Sequence, residues 1–317
     1  MMNESLVFLS GESTSIPEAE AKALFLAYDP NSRFNTPEER VLLVRSEADP
    51  FLIASRIAFA RRVGVMLSDP SDASESVKGR KVRMRVFSLR GRKPSRPARL
   101  MRTIDAKVDL VSPDFEFTVI EGKRRYIALT SPLVMRQEWS LRRPRSRAFF
   151  HPSAIFPKLS RALINLSRCK KGDVFLDPFA GTGSLLLEAD QVGAKALAID
   201  LSAEMARGCL ANMKAFGQEW LGVVRGDSFL PPLAHVDAIA TDVPYGRTSS
   251  TRGKDAESIV RAAVETMPAL LRRGSTMVMM HPKHLPVEPS RDWTLEEEHH
   301  LYVHKHLTRT VTVLRRR

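Results

Sequence analysis

The sequence predicts an α/β protein. Its carboxyl-terminal half reads as a mainly parallel, helix-covered sheet closed by an antiparallel hairpin, and its amino-terminal half as a basic α+β region. Three observations carry this. From Cys169 onward, short apolar runs alternate with helical segments, as in parallel sheets with helices packed on their faces. Trp293 to His304 and Leu307 to Leu314 then alternate with period two, close enough in sequence to pair. Residues 51–150 hold 23 basic and 9 acidic side chains, against 4 and 9 in residues 1–50 and 22 and 18 in residues 151–317, so the net charge of +13 arises in the middle of the chain.

Taken in order, a helix is expected over 16–28 with Pro17 in its first turn, and a second over 52–63 with apolar residues on one face. Val82, Met84 and Val86 alternate with Arg83, Arg85 and Phe87, which predicts a strand with one apolar and one basic face. That strand lies in Lys78 to Arg102, a run of eleven basic residues with no acidic one. The run reads either as a solvated arm or, preferably, as a docking surface for phosphates, with Arg80, Lys81, Arg83, Arg85, Arg90, Arg92 and Lys93 as its contacts. Arg142, Arg143, Arg145 and Arg147 surround Pro144 in a segment whose composition suits an extended, wet linker that could also touch a phosphate backbone. The expected domains are 1–55, a small α+β domain; 56–140, a basic nucleic-acid-binding domain; 141–150, an Arg-rich linker; and 151–317, the α/β domain. Within the last, strands are expected at 174–177, 195–200, 221–225, 236–242 and 275–281, with helices over 184–192, 202–216 and 255–272.

Composition narrows the function classes. With 43% hydrophobic and 27% charged residues in 317, the chain can bury sizeable cores. No apolar stretch reaches the roughly 20 residues a bilayer needs; the best candidate, from Phe51 to Leu67, is broken by Arg56, Arg61 and Arg62. Met-Met-Asn-Glu lacks the basic start and apolar middle of a secretory signal. Cys169 and Cys209 offer neither a disulfide framework nor zinc spacing. A soluble, cytoplasmic protein without membrane partners is therefore expected.

The first strand of the α/β half runs into Asp177-Pro-Phe-Ala-Gly-Thr-Gly183, followed by a helix. A strand, glycine turn and helix in this order place backbone N–H groups at the carboxyl edge of the sheet, where such folds bind ligands. A dinucleotide fingerprint would need a small residue three positions after Gly183, and Leu186 stands there. Asp200, 17 residues after Gly183 at the end of the second strand, is placed to accept hydrogen bonds from ribose hydroxyls; capping the next helix is the bland role, but Ser202 can do that. Asp227 reads as a contact for an adenine amino group or as a plain turn aspartate.

These motifs, with Gly226-Asp227 and Thr241-Asp-Val-Pro-Tyr-Gly-Arg247, resemble the ordered motifs of Rossmann-like, class I S-adenosylmethionine-dependent methyltransferases acting on exocyclic amino groups. The segment from Phe149 to Leu166 resembles the one preceding the sheet in archaeal tRNA guanine-N2 methyltransferases of the position-10 type, and Leu6-Val-Phe-Leu-Ser-Gly-Glu12 is similar to that family's opening. The resemblance implies a THUMP-type RNA-binding region before the sheet and tRNA as partner, and it leaves open a small activating subunit of the kind eukaryotic relatives need. It also implies that Asp177, Phe179, Gly181, Gly183, Asp200, Leu201, Asp227 and Ser228, with His151 and Ser153, hold S-adenosylmethionine, and that Asp242, Val243, Pro244 and Tyr245 form the catalytic tetrapeptide.

The chemistry fits. The lone pair of an aromatic amine is delocalised into its ring, so a carboxylate and a main-chain carbonyl accepting its N–H groups favour the pyramidal, nucleophilic form. Tyr245 offers a face for an extruded base. The usual second residue of this tetrapeptide is proline; Val243 keeps the carbonyl but lacks a fixed φ. His299, His300, His304 and His306 cluster, but no metal site is expected, since no cysteine or carboxylate pattern completes one. His281 and His284 are expected near the cleft. The alternatives are a ribosomal RNA or DNA amino-methyltransferase, and a non-catalytic tRNA-binding module.

Overall fold

Pro17 at the start of α1 (Ile16–Tyr28) and Asp49 capping α2 (Pro50–Arg56) are the local signals that begin the first helices of the computed structural model. The structure describes residues 3–12, 15–89, 91, 94, 106–132, 139–230, 233–244, 255–304 and 307–317. They form two compact units, Met1–Arg136 and Gln137–Arg317.

In the first unit β1 (Asn3–Leu9), β2 (Arg33–Glu38), β3 (Val41–Ser46), β4 (Ala60–Leu67), β5 (Lys81–Ser88), β6 (Lys107–Val108), β7 (Phe115–Glu121) and β8 (Arg125–Thr130) make one sheet in the order β2-β3-β1-β4-β8-β7-β5-β6. The unbroken apolar run of β1 is explained by burial on both faces. Val7 and Leu9 pack with Leu24 and Phe25 of α1, whereas Leu6 and Phe8 pack with Ile120 and Tyr126. Because β1 pairs with β4, the division expected at 55/56 falls inside a single sheet. The helix expected over 52–63 stops at Arg56. From Ala60 the chain is a strand, because Val63 and Val65 find backbone partners in β1 that outweigh the apolar periodicity. The short helix α3 (Ser74–Val77) precedes the basic strand β5, which has Val82 and Met84 buried on one face.

In the second unit, the helix α4 (Pro157–Leu166) precedes a seven-stranded sheet made of β9 (Val174–Asp177), β10 (Lys195–Asp200), β11 (Gly222–Arg225), β12 (Val236–Asp242), β13 (Leu271–Pro282), β14 (Trp293–His304) and β15 (Leu307–Arg316). Its order is β11-β10-β9-β12-β13-β15-β14; all pairs are parallel except those of β15, which runs antiparallel to both β13 and β14. The intervening helices are α5 (Ser184–Gln191), α6 (Ala203–Ala215) and α7 (Ala256–Thr266). The helix expected to reach 272 ends at Thr266; Pro268 cannot continue it, and a short 3₁₀ turn leads into β13.

The chain builds outward from β9 in one direction through β10 and β11, then in the other through β12 and β13. The strand order reverses between β9 and β12, and such a reversal opens a crevice at the strands' carboxyl ends. Asp177, Asp200 and Asp242 are the last residues of β9, β10 and β12. The fold therefore delivers three carboxylates to one edge. Among the described residues no helix is long and apolar enough to cross a membrane.

Candidate active site

The turn after β9 is held open by hydrogen bonds that its own sequence supplies. Phe179 N–H donates to Asp177 Oδ1 (3.2 Å), Ala180 N–H to the Ile199 carbonyl (3.0 Å) and Gly181 N–H to Asp200 Oδ2 (2.8 Å). Gly181 and Gly183 lie at φ of 51° and 81°, where side chains are strained. A Cβ on Gly183 would stand 2.6 Å from Cys209 Sγ, while one on Gly181 would meet nothing within 4 Å. Gly181 faces open space because it lines a cleft of about 710 Å³.

That cleft is also lined by His151, Ser153, Asp177, Phe179, Asp200, Leu201, Asp227, Ser228, Asp242, Val243 and Pro244. The structure thus brings together the sequence-predicted cofactor and catalytic residues apart from two: Gly183 sits just behind the wall, and Tyr245 lies outside the described residues. Asp200 is less free than the sequence suggests. Ser202 does cap α6, through Met205 N–H, but Asp200 already accepts Gly181 N–H and, on Oδ1, Ser202 N–H (2.8 Å). Asp227 lines the cleft, and its Oδ1 accepts Phe229 N–H (3.0 Å) as a turn aspartate does.

The carboxylates carry the electrostatics. Burial pushes Asp177 up to about 7, against the pull of Thr241 and the Phe179 N–H, with Asp200 and Asp242 raising it further. Burial also pushes Asp242 up to about 6, opposed by Arg309, and raises Asp200. Arg309 Nη1 of β15 lies 3.1 Å from Asp242 Oδ2. Asp242 Oδ1 is buried and has no hydrogen-bond partner among the described residues. A buried carboxylate oxygen without a donor is costly.

Val243 explains its own departure from proline. Its N–H donates to the Met280 carbonyl (2.9 Å), which a proline could not do, and its side chain is buried among Ile239, Ile259 and Met279.

One wall of the cleft is fixed by an arginine whose role the sequence did not reveal. Arg147, only 7% exposed, donates to Ser184 Oγ (2.6 Å), the Ile155 carbonyl (3.1 Å) and the Arg142 carbonyl (3.1 Å), tying the His151–Ser153 segment to the first turn of α5. Burial lowers its pKa to about 10. Arg142 corrects the expectation of a wet linker. It is 6% exposed and donates to Glu188 Oε1 (2.7 Å), while Arg161 takes Oε2 (2.8 Å), so Arg142 is not available to a phosphate. Glu188 on α5 is the physical reason: a buried carboxylate can hold two guanidinium groups out of water. Arg143 and Arg145 are exposed.

In the first unit Arg80 and Lys81 are exposed, Lys81 beside Asp109. Arg83 and Arg85 of β5, with Arg62 of β4, converge on the buried Glu116, which neutralises one of the three charges. Arg90, Arg92 and Lys93 lie outside the described residues. His281 does not reach the cleft: it is buried with Nε2 2.8 Å from Thr312 Oγ1. His299 pairs with Glu297 and His300 with Thr310 Oγ1.

Comparison with known proteins matches residues 144–310 to the RMKL-like methyltransferase domain family. Over 99% of both chains, the sequence is 30% identical to a tRNA (guanine(10)-N2)-dimethyltransferase of Methanothermobacter thermautotrophicus. The chain belongs to the tRNA (guanine(10)-N2)-dimethyltransferase family. A second member, from Methanocaldococcus jannaschii, is 34% identical over 67% of this chain and 61% of its own. The crystal structure of TrmN from Thermus thermophilus shares the fold, with a TM-score of 0.51 over 99% of this chain at 18% identity.

As a member of this family the protein is a methyltransferase with S-adenosylmethionine as donor. The site fits that cation-bearing molecule. Three carboxylates, two of them pushed up to about 6 and 7 by burial, face a space lined by a glycine turn that leaves room for a ligand against the main chain. Arg309 and Arg147 are the residues sequence reasoning missed. Arg309 is one of several arginines in an alternating strand, and nothing in its spacing singles it out.

Proposed function

We propose that the protein methylates the exocyclic N2 of guanosine 10 in tRNA, the nucleoside named for its archaeal relatives. The observation that carries the reading is the buried Oδ1 of Asp242, at the tip of β12 beside the glycine turn, which has no hydrogen-bond partner among the described residues. The backbone around Gly181, with Asp200, Leu201 and Asp227, holds the nucleoside part of the donor, while Asp177, Phe179, His151 and Ser153 close its walls. The donor would supply an electrophilic methyl on a sulfonium: the N2–C bond would form as the C–S bond breaks with its electron pair left on sulfur, and the proton released from the acidic N2 ammonium would pass to water.

The chain's own groups do the rest. Asp242 Oδ1 accepts an N–H of the amino group, and the Val243 carbonyl accepts the other, which turns the lone pair out of conjugation. The Asp242 carboxylate also stabilises positive charge developing on N2. Pro244 lines the space in which an extruded base would sit. Guanosine and N2-methylguanosine both keep an N–H for Oδ1, so the same oxygen serves two successive transfers. Basic residues of the first unit, Arg80, Lys81, Arg83 and Arg85 of a THUMP-type region, grip the RNA by shape and phosphate contacts, and Arg143 and Arg145 of the second unit also contact phosphates.

Nucleoside mass spectrometry after incubation with S-adenosylmethionine and a tRNA transcript tests this. N2-methylguanosine and N2,N2-dimethylguanosine are expected, absent when guanosine 10 is replaced by adenosine. Formation of N6-methyladenosine alone would overturn it.

A further inference from the structure

The acceptor carboxylate has two oxygens in unlike surroundings. Oδ2 of Asp242 lies 3.1 Å from Nη1 of Arg309, whereas Oδ1 is buried with no donor among the described residues. Arg309 comes from β15, which does not pair with β12; β13 lies between them. The reach across β13 is guided by Met280, whose Sδ is 3.8 Å from the same Nη1 and which sits opposite Asp242 in the β12–β13 ladder. Arg309 is part of the cleft wall.

We infer that Arg309 is a positioning residue for methyl transfer: it anchors Oδ2 of Asp242, fixes the carboxylate's rotation, and so presents Oδ1 to the amino group. The inference rests on the reading of Asp242 as the acceptor. A carboxylate rotates about its Cβ–Cγ bond with little resistance, so an unanchored Asp242 would spend its time in orientations that no substrate N–H can use. A guanidinium on one oxygen removes that freedom.

The same contact supplies the charge Asp242 needs to stay ionised. Among the described residues the titratable groups that line the cleft with Asp242 are Asp177 on β9, Asp200 on β10, Arg309 on β15, His151, Glu204 and Asp227, while β13 and α7 contribute Met280 and apolar side chains. Among those residues Arg309 is the cation set against Asp242. Burial pushes Asp242 up and Arg309 pulls it down, to about 6. Only the ionised form offers acceptors alone, so activity falls as pH drops through that value, and loss of the cation moves the fall to higher pH.

The test is kcat against pH for the full chain with tRNA transcript and S-adenosylmethionine, in wild type, Arg309→Met, Arg309→Gln, Arg309→Lys and Asp242→Ala. Arg309→Met is expected to lose about 100-fold in kcat, the scale of a misplaced catalytic group, and to shift the acid limb upward by about one pH unit. Arg309→Gln keeps an N–H donor without charge and should show the same shift with a smaller loss. Arg309→Lys should keep the limb near that of wild type. Donor affinity, by calorimetry, should stay within about threefold in all three, which separates positioning from unfolding; should Arg309→Met not fold, Arg309→Gln against Arg309→Lys carries the comparison.

An acid limb common to wild type, Arg309→Gln and Arg309→Lys, or kcat within twofold of wild type in Arg309→Met, would overturn the role of Arg309. Activity surviving in Asp242→Ala would instead overturn the acceptor reading beneath it.

Discussion

Thr241 and Asp177 are joined across neighbouring strands: the Thr241 hydroxyl donates to Asp177 Oδ1 over 2.7 Å. Thr241 precedes Asp242, the proposed acceptor, and Asp177 opens the glycine turn, so this bond joins the β12 and β9 sides of the cleft. Thr241→Val removes the donor and leaves a buried carboxylate short of a partner. The expected cost is about 1–3 kcal/mol in unfolding free energy, with weaker donor binding by calorimetry and recovery of both in Thr241→Ser.

Asp177 and Asp242 hold their protons more tightly folded than unfolded, at about 7 and about 6 against an ordinary carboxylate value. The sign follows directly. Their contribution to stability is complete below the unfolded value, around pH 4, and is lost as pH rises through 6 and 7. A bound cation restores it. The gain in Tm from S-adenosylmethionine should therefore exceed that from S-adenosylhomocysteine, which lacks the sulfonium charge, and the gap should widen between pH 5.5 and 7.5. A constant gap contradicts the electrostatic account.

Arg142 and Arg85 belong to different tasks. Arg142→Ala leaves Glu188 with Arg161 alone in a buried site, and Glu188→Gln strands two guanidinium groups; breaking such a pair costs about 3–5 kcal/mol. Thermal unfolding should register both, with the salt dependence of tRNA binding unchanged for Arg142→Ala. Arg85→Ala, half-exposed on β5, should do the reverse: nearly unchanged Tm and a shallower salt slope.

Val243→Pro would create the commoner tetrapeptide and is nonetheless expected to harm the protein. It deletes the N–H that pairs with the Met280 carbonyl and removes apolar volume from the core under α7. A loss of about 1–3 kcal/mol is expected, read as a lower Tm; an unchanged Tm would mean the loop tolerates either residue.

What was legible in the sequence follows from where local and tertiary forces agree. Strands β9, β10 and β12 are short apolar runs ended by aspartates, and they appear where periodicity and turn chemistry place them. Residues 60–67 were not legible as a strand, because the pairing with β1 that makes them one lies more than fifty residues away. Asp200 reads correctly as a cleft residue, yet its grip on Gly181 and Ser202 depends on a turn geometry that spacing does not encode. Arg142, Arg143 and Arg145 look alike in sequence; only Glu188, on a helix some forty residues on, separates the buried one from the exposed two. Arg309 was silent for the same reason, since its meaning comes from Asp242 across an intervening strand.

The most direct test is a single-turnover methyl-transfer rate for Asp242→Ala, with donor and tRNA affinities measured on the same preparation. The rate should fall by at least about 100-fold while tRNA affinity stays within about threefold of wild type and any loss of donor affinity is made up by saturating donor. A rate within a few-fold of wild type, or a loss traced wholly to weaker donor or tRNA binding, would show that the β12 carboxylate does not prepare the amino group for attack.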